Sequence, residues 1–169
     1  MWWVFHSFHR VFHSIDKKIN DFPHERGDLR MFLGEYAHAL DSKNRIFIPA
    51  KYREELGETF VITKSVDKCL TVYTMAEWEK LREKLDALPA AKSRQIKRFI
   101  FANASDVQCD SQGRVLISAQ LRAYAGIEKN AVIIGVGSYL EIWAEEAWTA
   151  AVAEEEAEDI AKMMEELDF

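Results

Sequence analysis

Two stretches of the chain decide its fold: Leu40–Glu58, LDSKNRIFIPAKYREELGE, and Cys109–Ile127, CDSQGRVLISAQLRAYAGI. The second repeats the first 69 positions later, pairing Asp41 with Asp110, Arg45 with Arg114, Ile46 with Val115, Ile48 with Ile117, Ala50 with Ala119 and Arg53 with Arg122. An acid, three residues and a base thus occur twice, each time before the same alternating apolar run. Alternation at period two predicts a short strand, and the residues after it predict a short helix ended by Gly57 or Gly126. Pro49 is expected at the first position of the first such helix.

Working outward, FLGEYAHAL before the first motif and NASDVQC before the second read as strands, so each motif is expected to be a tight turn of a hairpin. TFVITKS and CLTVYT follow the first motif, AVIIGVG and YLEIWA the second. Thr74-x-x-Glu77 has the form of a capping box and opens a helix with Trp78, Leu81, Leu85 and Leu88 on one face. Its counterpart is expected to begin at Trp148, after a one-residue insertion near Glu128 that pairs Leu70 with Leu140 and Val72 with Ile142. Strands keep their length while loops absorb change, so agreement on both sides of an insertion indicates a duplicated folding unit. Between the units Pro89 breaks the helix, and AKSRQIKRFIF places Lys92, Arg94, Lys97 and Arg98 among apolar residues.

Within each motif the residue before the arginine is Asn44 or Gly113, and both types tolerate positive φ. The aspartate is expected to accept hydrogen bonds from the turn's amides. The arginine is then left at the tip, where its rigid five-donor fork suits a phosphate or the O6/N7 edge of guanine. One Asp-x-x-x-Arg is common by chance and would be read as a surface ion pair. Two at equivalent turns favour contact with a ligand.

At 169 residues the chain suits one domain or two small ones sharing a core, and 49% hydrophobic with 30% charged residues is the balance of a folded soluble protein. The net charge of −6 conceals an asymmetry: Glu141–Phe169 holds eleven acids and one lysine, so the preceding 140 residues sum to +4. That basic part is compatible with nucleic acid despite the acidic total, because charges act over roughly 10 Å at ordinary salt. Cys69 and Cys109 lack the spacing of a zinc site or a disulfide framework and are expected to be reduced thiols. The repeated core offers no nucleophile beside a histidine, no Gly-rich phosphate loop and no metal-spaced cluster, so neither an enzyme nor a cofactor is expected.

The first thirty residues differ from the rest. Their apolar part is interrupted by His6, His9 and His13 and cannot span a bilayer. Metal binding by the three histidines and a membrane-surface helix are both weaker readings than an extension outside the fold, expected to arise from an upstream start codon that the cell does not use. At the other end, Ile160, Met163, Met164 and Leu167 recur at helical spacing on an acidic segment, a narrow stripe suited to packing within the protomer or against a neighbour.

The motifs MFLGEYAHALDSKNRIFIPAKYREEL and NASDVQCDSQGRVLISAQLR, with their spacing and duplication, resemble the MraZ family from Met31 to about Trp148. The resemblance implies an α+β fold of two tandem AbrB-like swapped-hairpin units at 31–84 and 101–148, a linker helix at 85–100, an acidic C-terminal helix at 149–169 and residues 1–30 outside the fold. It implies a DNA-binding transcriptional regulator, cytoplasmic and nucleoid-associated, that binds double-stranded DNA at direct repeats upstream of the division and cell-wall gene cluster and assembles into a closed homo-oligomeric ring. Arg45 and Arg114 are the implied DNA contacts, with Asp41 and Asp110 shaping the tips and Lys43 between them; Gln112 stands at the second lysine position. Asn44 replaces the family's usual glycine, kept as Gly113, and Ser118 replaces the proline kept as Pro49. Arg53, Arg122 and the Lys92–Arg98 cluster are candidate phosphate contacts. The alternative is an AbrB-like antitoxin or protein-binding module, against which two fused units and a folded C-terminal helix weigh.

Overall fold

A computed structural model describes residues 31–154 and 157–167. The expectations for the N-terminal segment, including His6, His9 and His13, lie outside the described residues. Strands β1 (Phe32–Ala39), β2 (Arg45–Phe47), β3 (Thr59–Lys64) and β4 (Leu70–Thr74) form the first unit, with helix α1 (Ala50–Leu56) between β2 and β3. Helices α2 (Met75–Asp86) and α3 (Ala90–Phe101) follow. The second unit repeats the order with β5 (Ser105–Gln108), β6 (Arg114–Leu116), α4 (Ala119–Ala125), β7 (Asn130–Gly137) and β8 (Tyr139–Ala144), then α5 (Glu145–Glu154) and α6 (Ala157–Glu166).

The strands do not pair as local hairpins around the motifs. β1 lies antiparallel to β7 of the other unit, β5 lies antiparallel to β3, and β2 pairs with β6 in a separate two-stranded ribbon. Each unit therefore lends its first strand to the other, in a six-stranded antiparallel sheet of order β1-β7-β8-β4-β3-β5. The expected hairpins are corrected on this point. A three-residue strand such as Arg45–Phe47 cannot bury its apolar side against a local partner, and the equivalent strand across the molecule supplies one.

The order reads the same from both ends, and the register locates the axis of this pseudo-symmetry. It passes between the paired equivalents Ile46 and Val115 in the ribbon and between Thr71 and Glu141 at the centre of the sheet. Register also corrects the insertion. Phe60 stands opposite Thr74 and Ala131 opposite Ala144, so Phe60 corresponds to Ala131, 71 positions on, while Thr74 corresponds to Ala144, 70 on. The loop before β7 has gained two residues and the β7–β8 turn has lost one, which leaves both strands in phase.

One core serves both units. Ile46, Ile48, Tyr52, Leu56, Phe60, Ile62, Leu70 and Val72 pack with Val115, Ile117, Leu121, Ala131, Ile133, Leu140 and Ile142 in a single buried cluster. On the opposite face of the sheet the Thr63 hydroxyl donates to the Ile100 carbonyl, and Trp78 of α2 lies between Tyr73 and Phe101. The Thr74 hydroxyl caps α2 by accepting from the Glu77 amide at 3.1 Å, as its sequence predicted. Pro49 precedes α1 as its cap residue and is not its first helical residue, and α5 begins at Glu145, three residues before Trp148. Trp148 instead packs on Trp143 from inside the helix. Cys69 is buried and Cys109 half-buried, both as free thiols.

Candidate nucleic-acid interface

The two motif turns meet at the ends of the β2–β6 ribbon. In each turn the aspartate divides its two oxygens between two tasks. Asp41 Oδ1 accepts from the amides of Lys43 at 2.9 Å and Arg45 at 3.0 Å; Asp110 Oδ1 accepts from those of Gln112 and Arg114, both at 2.9 Å. The turn is closed by the Asn44 amide on the Asp41 carbonyl and by the Gly113 amide on the Asp110 carbonyl. Asn44 takes φ of 60° and Gly113 φ of 77°, so the left-handed conformation expected of these positions is present in both.

The second oxygen of each aspartate holds arginine. Asp41 Oδ2 is 2.8 Å from Arg45 Nε and 2.6 Å from Nη2, and 3.5 Å from Arg114 Nη1. Asp110 Oδ2 is 3.0 Å from Arg114 Nε and 2.8 Å from Nη2, and 3.0 Å from Arg45 Nη1. The four side chains close a ring of ion pairs around the pseudo-symmetry axis. The sequence placed each arginine on a free tip; in the fold the paired turns bring each within reach of both acids. Even so the Arg45 and Arg114 side chains stay 23% and 27% exposed, and the contacts leave N–H capacity on their terminal nitrogens.

This arrangement orders the charge. Hydrogen bonds from Arg45 and its amide hold the Asp41 carboxyl at a pKa of about 2, and those from Arg114 do the same for Asp110. Both acids are therefore ionised throughout the physiological range, and both arginines are fixed in direction without being buried. Such pre-set geometry lowers the ordering cost of a two-pronged contact with a planar acceptor pair.

The remaining candidates divide. Lys43 is exposed beside its turn, so the first tip carries a cation that Gln112 does not provide at the second. Arg53 points inward: its Nε donates to the Ile48 carbonyl at 3.0 Å and its guanidinium lies 5.6 Å from the Phe47 ring centre. It also covers Gly113, where a Cβ would come within 2.8 Å of the guanidinium carbon. Arg122, its counterpart, is half-buried, with no hydrogen-bond partner for Nε among the described residues. Lys97 is paired with Asp86 at 2.8 Å. The ribbon ends are tied across the units, since the Ile48 amide donates to the Gly113 carbonyl and the Ile117 amide to the Asn44 carbonyl.

The sequence reading missed Phe47 and Leu116. Ile46 and Val115 are buried, so alternation puts Arg45, Phe47, Arg114 and Leu116 together on the outward face, and both apolar side chains are exposed. The signal was present in the period-two pattern, which was used to find the buried side of the strand only.

A profile of the family described as "MraZ protein, putative antitoxin-like" matches residues 31–99 and again 100–168. The chain belongs to the MraZ family. Among curated relatives, Transcriptional regulator MraZ of Heliobacterium modesticaldum is 52% identical over 121 residues, covering 70% of this chain and 85% of that protein. Its namesake in Leuconostoc citreum is 44% identical over 143 residues, 82% of this chain and 100% of the relative. That of Halothermothrix orenii is 48% identical over 141 residues, 81% and 99%. These relatives are named as regulators and not as enzymes. Among the described residues no helix is long and apolar enough to cross a membrane, and no group of His, Cys, Asp and Glu is placed to hold a metal.

Proposed function

We propose that the chain is a DNA-binding transcriptional regulator that reads double-stranded DNA through the outward face of the β2–β6 ribbon. The observation that carries this reading is the pair of equivalent, partly exposed arginines set side by side by the Asp41–Arg45–Asp110–Arg114 ring. A two-stranded ribbon fits the major groove, and an arginine fork matches guanine O6 and N7. Arg45 and Arg114 read bases; Lys43 approaches phosphate; Asp41, Asp110, Asn44 and Gly113 shape the turns. Arg53 supports the second turn and Arg122 is its counterpart, both at the margin of the face. The strand exchange between units supports an AbrB-like swapped-hairpin description, with units at 31–84 and 101–148 joined by the 85–100 segment.

The names of the relatives support regulation of transcription. Action in the cytoplasm and at the nucleoid, on direct repeats upstream of the division and cell-wall gene cluster, belongs to the same proposal. One chain presents two arginines, which is a small contact. A closed ring of copies would engage successive repeats together and raise avidity without new chemistry. The test is fluorescence anisotropy with a promoter fragment carrying those repeats, at fixed salt. Arg45→Ala and Arg114→Ala should each lower affinity by about tenfold or more. Unchanged affinity in both variants overturns the reading.

A further inference from the structure

Phe47 and Leu116 occupy equivalent positions, 69 apart, on the face that carries the arginines. Phe47 is 38% exposed and Leu116 58% exposed, although a neighbouring residue on each strand is fully buried. The register sets Leu116 directly opposite Arg45 and Phe47 directly opposite Arg114. Directly opposed side chains on one face of an antiparallel pair stand about 5 Å apart at Cβ. Each arginine therefore has one apolar residue directly opposite it on the same face, and the two pairs are related by the same axis as the ion-pair ring.

The Phe47 ring is contacted by two neighbours. Arg53 lies against it, and His38 meets it edge-on with ring centres 5.4 Å apart. A surface phenylalanine contacted in this way, on the same face as a charge suited to a base edge, presents an apolar surface beside that charge. In the major groove the apolar feature beside the hydrogen-bonding edges is the C5-methyl group of thymine.

We propose that Phe47 and Leu116 are specificity-determining residues that pack on thymine methyl groups next to the guanines met by Arg114 and Arg45. This rests on the DNA-reading role proposed above and adds the chemistry of a second base. Specificity at one half of the face then comes from an aromatic ring, and at the other from an aliphatic group.

The test replaces thymine by deoxyuridine, which removes the methyl group and leaves the hydrogen-bonding edge intact. The probe is a duplex selected by the full chain from a randomised library, with each thymine replaced in turn. Loss of one buried methyl contact should weaken binding by about fourfold at two or more positions. Phe47→Ala and Leu116→Ala should each abolish the sensitivity at one set of positions, and Phe47→Leu should retain it. Both sites are exposed, and far-ultraviolet circular dichroism confirms that the variants fold. Normal binding with no thymine sensitivity, or sensitivity that survives in the double Phe47→Ala/Leu116→Ala variant, overturns this inference and leaves the arginine reading intact. Failure of the full chain to select any duplex overturns both.

Discussion

Arg45 of the first unit donates from Nη1 to Oδ2 of Asp110 in the second, at 3.0 Å. The two copies of the motif are thus parts of one site, in which each arginine is held by the acid of its own turn and also reaches the acid of the other. Asp110→Asn should leave the backbone turn largely closed, because the side-chain oxygen still accepts from the Gln112 and Arg114 amides, yet loosen Arg114 and free Nη1 of Arg45, whose Nε and Nη2 stay on Asp41. Removing a negative charge next to bound DNA also favours non-specific attachment. Affinity for random duplex should therefore rise by a few-fold while the ratio of specific to random affinity falls, as read by competition binding at two salt concentrations. An unaltered ratio would mean that the ring does not orient the reading groups.

Acid should undo the same ring. Asp41 and Asp110 titrate near 2 in the folded chain against an ordinary value of 3.8, so the folded state binds their protons less readily than the unfolded state. The stability they contribute is complete above about pH 4 and is lost as pH falls through about 2. Urea unfolding between these limits should show a steep decline, and Asp41→Asn/Asp110→Asn should flatten it.

Much of this was readable in the sequence, and what was not has a physical reason. The duplication, the left-handed positions at Asn44 and Gly113 and the aspartate-closed turns follow from local chemistry, and local chemistry is what a sequence displays. Strand partners do not follow from it. The run Arg45–Phe47 has the same alternating pattern whether it pairs with β1 or with β6, and only the shared core selects the second. The ion-pair ring depends on that pairing, so in the sequence alone the arginines read as free tips. Arg53 reads there as one more surface cation, and its contacts with Gly113 and Phe47 come only with the fold.

The exchanged strand β1 depends on close backbone approach at Gly135, which faces Gly34 across the ladder. A Cβ on Gly135 would come within 2.4 Å of the Phe32 carbonyl carbon. Strand backbone cannot yield as a flexible side chain does, so Gly135→Ala should cost about 1–3 kcal/mol by denaturant unfolding, the usual range for overpacking. Exchange protection should fall first in β1 and β7. Gly113→Ala meets only the mobile end of Arg53, but its positive φ adds strain of its own.

Tyr52 anchors the same strand to α1. Its hydroxyl donates to the Gly34 carbonyl at 2.7 Å and lies 3.2 Å from that of Leu33, while Phe32 and Tyr36 meet its ring edge-on. Burial pushes its pKa up to about 12. Tyr52→Phe keeps the packing and removes the hydrogen bond, which should cost about 0.5–1.5 kcal/mol; Tyr52→Ala also opens a cavity and should cost about 3–5 kcal/mol. Equal losses in the two variants would assign the whole effect to the hydroxyl.

The C-terminal helices call for a cut at a different place from the one charge alone suggests. Truncation after Ala144 would remove Trp148 from Trp143 and Ala147 from the edge of the core, so any change in assembly would be confounded by damage to the protomer. In α6, by contrast, Ile160 and Met163 are 41% and 56% exposed, and Leu167 just beyond it is 70% exposed. An apolar stripe left in water on an acidic helix is what a contact between copies would cover. Removal of residues 155–169 should therefore lower the assembly mass in light scattering and leave the unfolding free energy from urea titration, measured at low protein concentration, within about 0.5 kcal/mol of the full chain. A lower midpoint with unchanged mass would place the stripe against its own protomer.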